Sequence, residues 1–164
     1  MQATTRTVCN ELAALLLSRQ WLLCTAESCT GGLIAAACTD LSGSSRWFDR
    51  GFVTYSNEAK CEMLAVDANT IADHGAVSQP VALAMAGGAL EHSNAQVAIA
   101  VTGIAGPAGG SEVKPVGTVW FAWATPAGFH SQRMQFAGDR DQVRRAATQH
   151  ALSVLRDRIQ AISA

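Results

Sequence analysis

Between Gln96 and Trp123 the chain passes from one apolar strand segment, Gln96-Val-Ala-Ile-Ala-Val101, into another, Thr118-Val-Trp-Phe-Ala-Trp123. The sixteen residues joining them, Thr102 to Gly117, hold five glycines and two prolines. Short apolar runs without polar alternation belong to strands covered on both faces, so this segment demands a sheet with helices above and below it. A long connection inside such a core is generally either functional or disordered. This one leaves one strongly apolar strand and enters another, which predicts an ordered loop that lets a ligand approach its backbone.

The rest of the chain agrees with a helix-covered sheet. Leu12, Leu15, Leu16 and Leu17 predict a helix over residues 4–19, and Trp21–Thr25 reads as a buried strand. Leu33–Cys38 resumes as a helix with Thr30 as its cap, Gly51–Tyr55 as a strand, and Glu58–Leu64 as a helix capped by Asn57. A further short helix is left open before Ser78-Gln-Pro80, which opens a helix running to about His92. Residues 118–123 and 129–136 pair as a hairpin across Thr125–Gly128, and Asp139 caps a last helix to about Ile159. The expected fold class is α/β: a three-layer α/β/α sandwich with a mostly parallel sheet and a late antiparallel hairpin, one domain over residues 1–164.

Composition narrows the function. The 12 Lys and Arg against 13 Asp and Glu leave a net charge of −1, which disfavours nucleic acid as a partner. The longest strongly apolar stretch, Val81–Leu90, falls short of the roughly 20 residues that span a bilayer. The N-terminal segment lacks the apolar core of a secretory signal. Five cysteines at 9, 24, 29, 38 and 61, with no C-x-x-C spacing, fit reduced thiols in a cytoplasm better than a disulfide framework or a zinc site. With the histidines scattered, no metal and no cofactor are expected.

Ligands of such folds collect beyond the carboxyl ends of the strands. Three loops there carry unusual residues. Ala26-Glu-Ser-Cys-Thr-Gly-Gly32 ends a strand and opens a helix, offering the hydroxyl of Ser28 and the free N–H groups of Thr30, Gly31 and Gly32 to an anion or a developing oxyanion. In Tyr55-Ser-Asn-Glu-Ala-Lys60, a buried Lys60 would shed its proton and serve as a base, with Tyr55 in hydrogen-bond reach. In the glycine-rich loop, Thr102 and Gly103 are further oxyanion candidates and Lys114 a point charge for phosphate or carboxylate. Arg140 and Arg144, four apart on the last helix, are candidates to clamp a phosphate from one face. Cys29 adjoins Ser28 but points elsewhere as its neighbour and is not taken as the nucleophile.

TAESCTGG, GSSRWFDRGFVTYSNEAK, HGAVSQPVALAMAGGAL, TGIAGPAGGSEVKPVGTVWFA and FAGDRDQVRRAA, in this order over about residues 5 to 157, resemble the carboxy-terminal domain family of the competence/damage-inducible protein CinA. The resemblance implies a three-layer α/β/α fold, commonly oligomeric with a dimer favoured. It implies hydrolysis of the carboxamide of nicotinamide mononucleotide to nicotinic acid mononucleotide and ammonia, without a metal. It also implies Ser28 as nucleophile with Tyr55 and Lys60 assisting. The amino-terminal molybdopterin-binding-like domain of longer family members has no counterpart in these segments, so its pyrophosphatase activity is not expected. A catalytically silent pyridine-nucleotide binder and a competence-associated interaction module are the alternatives.

Overall fold

The structure, a computed structural model, describes residues 3–163. Helix α1 (Ala3–Arg19) leads into strand β1 (Leu23–Glu27), helix α2 (Leu33–Thr39) and, after one turn of 3-10 helix, strand β2 (Phe48–Val53). Helices α3 (Asn57–Leu64), α4 (Ala68–His74) and α5 (Gln79–Glu91) follow. Strands β3 (Val97–Gly103), β4 (Thr118–Thr125) and β5 (Gly128–Gln135) and the long helix α6 (Arg140–Ala161) complete the order. The sheet runs β2-β1-β3-β4-β5. The pairs β1–β2 and β1–β3 are parallel, while β3–β4 and β4–β5 are antiparallel. The expected α/β sandwich is present, with a mixed sheet in which β4 alone runs against the other four strands.

Side-chain size sorts the two faces. Successive strand residues point to opposite sides. In β3 the larger Val97, Ile99 and Val101 face α1, α2 and α6, as do Val119, Phe121 and Trp123 of β4. Ala98, Ala100, Ala122 and Ala124 face α5 and its neighbours. The alanine face lets the small-residue helix α5 settle close to the sheet. It meets α3 equally closely: a Cβ on Gly88 would stand 2.0 Å from the Leu64 carbonyl oxygen. On the other face Trp123, fully buried, donates its indole N–H to the Ala151 carbonyl of α6 at 2.9 Å.

The helix starts differ from expectation in informative ways. Asp139 caps α6 as predicted, in a reciprocal capping box with Gln142. Ser56, one residue before the expected Asn57, caps α3 by accepting from the Ala59 N–H. Ser78 does occupy the cap position of α5, but its hydroxyl donates to the Gly75 carbonyl instead. The left-open helix is α4, capped by Asp67. Thr30 does not cap α2: the cap position is Gly32, with φ 97°, and the capping oxygens come from Glu27.

The Gly/Pro loop is ordered by contacts from several elements. Ile104 N–H donates to the Thr118 carbonyl and Gly117 N–H to the Ile104 carbonyl, closing its base. Arg140 Nη1 holds the Gly106 carbonyl, Arg133 Nη2 the Val113 carbonyl and Gln135 Nε2 the Val116 carbonyl. Gly110 has its backbone so near the returning chain that a Cβ there would stand 2.8 Å from the Val116 nitrogen.

Candidate active site

At the carboxyl ends of β1, β2 and β3 lies a cleft of about 270 Å³. The β1–α2 turn contributes Ser28 and Cys29 to its wall; the β2–α3 segment contributes Tyr55, Asn57 and Lys60. Thr102 and Gly103, the last residues of β3, close another side, and Arg140 reaches in from the start of α6. Parallel pairing brings the first two segments side by side, because Glu27 of β1 stands opposite Val53 of β2. Ser28 and the first turns of α3 then emerge together, although 32 residues separate Ser28 from Lys60.

The Lys60 side chain is 1% exposed. Its Nζ donates to Ser28 Oγ at 3.0 Å and to the Thr54 carbonyl at 2.9 Å. No carboxylate among the described residues lies within ion-pair distance of it. Burial pushes its pKa below the usual 10.5, against the opposing pull of the Cys29 and Cys61 thiols. An amine in this setting keeps one N–H on the Thr54 carbonyl and, once neutral, turns its lone pair to the serine hydroxyl. The neighbouring Cys29 thiol is pushed up to about 12, chiefly by burial, and stays protonated.

Tyr55 is 63% exposed, and its hydroxyl accepts from Arg140 Nη2 at 3.0 Å. It does not bridge Ser28 and Lys60, which touch directly. Arg140 thus ties the cleft mouth together, from Tyr55 on one side to the Gly106 carbonyl on the other.

Five of the sequence-derived binding candidates lie outside the cleft. Thr30 is fully buried and gives its hydroxyl to Glu27 at 2.7 Å. The Gly31 N–H donates to the Ser28 carbonyl and the Gly32 N–H to the Glu27 carboxylate. The anion at the start of α2 is therefore the protein's own: Glu27, wholly buried, also accepts from the N–H groups of Ile34 and Ala35. Lys114 donates to the His74 carbonyl at the end of α4. Arg144 donates to the carbonyls of Cys29 and Thr30, so it and Arg140 do not share a clamp. Asn57, the expected cap of α3, lines the cleft instead. A strand-terminal acid does not by itself reveal that it folds back onto the following helix; the one signal for Glu27 is its place before a Gly-Gly helix start.

A buried lysine without a carboxylate partner, hydrogen-bonded to a serine at the carboxyl end of a parallel sheet segment, is an arrangement that can serve serine-nucleophile acyl transfer on an α/β scaffold. The chain belongs to the CinA C-terminal domain family, whose model matches residues 5–159. It is 56% identical over 147 residues to the nicotinamide-nucleotide amidohydrolase PncC of Escherichia coli K12, covering 89% of both chains. It is 52% identical to a putative competence-damage inducible protein of Symbiobacterium thermophilum, covering 92% of this chain and 37% of that longer protein. Among solved structures it resembles the competence/damage inducible protein CihA of Agrobacterium tumefaciens, with TM-score 0.94 and 42% identity over 98% of each chain. Among the described residues no helix is long and apolar enough to cross a membrane, and no group of three or more His, Cys, Asp or Glu side chains is arranged to hold a metal ion.

Proposed function

We propose that the chain hydrolyses the carboxamide of nicotinamide mononucleotide to nicotinic acid mononucleotide and ammonia, with Ser28 as nucleophile and Lys60 as its base. The observation that carries this reading is the 3.0 Å contact between Lys60 Nζ and Ser28 Oγ inside a cleft. The 56% identity to an amidohydrolase of nicotinamide nucleotides supports the substrate.

In the reaction, neutral Lys60 takes the Ser28 proton as Oγ bonds to the carboxamide carbon, and the carbonyl π electrons move to oxygen. The oxyanion collapses, the C–N bond breaks, and the Lys60 ammonium returns its proton to the departing nitrogen, which leaves as ammonia. Water then attacks the acyl-enzyme with Lys60 again as base, releasing the carboxylic acid and Ser28. The oxyanion needs N–H donors not already engaged. Gly31 and Gly32 are spent, whereas the Thr30 N–H finds no acceptor among the described residues and that of Cys29 meets only its own thiol. One such donor contributes about 3 kcal/mol to the transition state. Arg140, at the cleft mouth, is the phosphate ligand in this reading, with Tyr55 orienting its guanidinium. A cytoplasmic location and a homo-oligomeric state, a dimer first, go with the same reading.

Purified protein incubated with nicotinamide mononucleotide releases ammonia, and the Ser28→Ala variant does not. Binding of the nucleotide without turnover by the unmodified protein overturns the enzyme reading in favour of a nucleotide-binding protein.

A further inference from the structure

The turn carrying Ser28 is gripped from two sides by opposite charges. From the core, the Glu27 carboxylate takes donors: the Thr30 hydroxyl and the N–H groups of Gly32, Ile34 and Ala35. From α6, the Arg144 guanidinium takes acceptors: Nε donates to the Cys29 carbonyl and Nη2 to the Thr30 carbonyl, each at 3.1 Å. The guanidinium lies so close to the turn that Nη2 would stand 3.3 Å from a Cβ on Gly31. Arg144 does not border the Ser28 cleft; it lines a separate cleft of about 330 Å³ with residues of α1, α2 and α6.

A trans peptide unit points its C=O and N–H in opposite directions. Fixing the Cys29 carbonyl on Arg144 therefore aims the Thr30 N–H away from Arg144. The Gly31 N–H, by holding the Ser28 carbonyl, aims the Cys29 N–H away from Gly31. We infer that Arg144 is a positioning residue for the amidase reaction, its forked guanidinium fixing the Cys29–Thr30 and Thr30–Gly31 peptide planes just beyond the nucleophile without touching substrate. The inference rests on the Ser28–Lys60 reading above. Two carbonyls on one planar fork call for arginine; a lysine ammonium is a single point that cannot reproduce that geometry.

The test is Arg144→Lys, with Arg145→Lys as a neighbouring control whose exposed partner is Asp141. Two rates are read well below the lowest melting midpoint, so a loss of stability alone leaves them unmoved. One is ammonia release from nicotinamide mononucleotide; the other is labelling of Ser28 by a fluorophosphonate, followed by intact mass. Misplacing reacting groups by about an ångström costs up to about 100-fold, so kcat and labelling of Arg144→Lys both fall by between about 10-fold and 100-fold. KM stays within about 2-fold of the unmodified protein, because no substrate contact is lost. The Arg145→Lys control is unchanged. A raised KM with unchanged kcat makes Arg144 a substrate ligand and overturns the inference; so do unchanged kcat and labelling. Unmodified protein that labels at Ser28 yet releases no ammonia overturns the amidase reading instead, and the labelling comparison still decides the role of Arg144.

Discussion

Replacing Lys60 by methionine removes the amine while keeping the length and most of the volume of a side chain that is 1% exposed. A positioned general base contributes about 10²- to 10⁴-fold, or about 2.7–5.5 kcal/mol of barrier. The cleft places the loss at the upper end, because it holds no substitute: Cys29 keeps its proton up to about 12, and the Tyr55 hydroxyl is engaged by Arg140. Ammonia release by Lys60→Met therefore falls about 10³- to 10⁴-fold with KM little changed. In the unmodified enzyme kcat/KM rises with pH along a one-proton limb whose midpoint lies below 10.5, since the free base is the active form and burial lowers its pKa. Stability carries the same signature. The unfolded chain takes up a proton that folded Lys60 resists, so this residue's contribution is fully present above 10.5 and is lost as pH falls toward the depressed folded value. The melting midpoint of the unmodified protein therefore gains on that of Lys60→Met as pH rises from neutral toward 10.5. Turnover by Lys60→Met within about 10-fold of the unmodified enzyme, with the pH limb intact, refutes the base assignment.

Arg140→Ala raises KM for nicotinamide mononucleotide by about 10- to 100-fold, the weight of a charge-assisted contact, and leaves KM for nicotinamide riboside unchanged. Lys114→Ala, whose ammonium sits on the His74 carbonyl, moves neither; steady-state kinetics with both substrates checks the pair. Glu27→Gln replaces a carboxylate accepting four hydrogen bonds by an amide with one acceptor oxygen and lowers stability by about 2–4 kcal/mol in a denaturant titration. Gly88→Ala drives a methyl group into the Leu64 carbonyl and costs about 1–3 kcal/mol by the same measurement, without altering KM.

The elements were legible because each carries its own period or punctuation. Leu12 and Leu16 mark one face of α1, Val97 to Val101 an unbroken buried strand, and Asp139 with Gln142 a helix start. The errors cluster where two local solutions compete. Ser56 and Asn57 are both competent caps, and only the backbone decides that Ser56 is outside α3. Tyr55 extends the β-like run of Phe52 and Val53, but β2 ends once its partner β1 ends.

By itself the sequence determined a helix-covered sheet and which loops gather at the carboxyl ends of its strands. It thus put Ser28, Lys60 and Thr102 on segments that open at one end of the sheet, because each follows a strand read from its own apolar run. Only the tertiary structure decided how the charges are shared out. Glu27 fills the anion position at α2 that the pattern offered to a ligand, Arg144 serves backbone carbonyls 115 and 114 residues away, and Arg140, one helical turn earlier, faces the cleft. Every buried N–H and C=O must find a partner, but the choice among equally suitable partners depends on distances of an ångström or two between atoms remote in the chain, which no local pattern of residue types records.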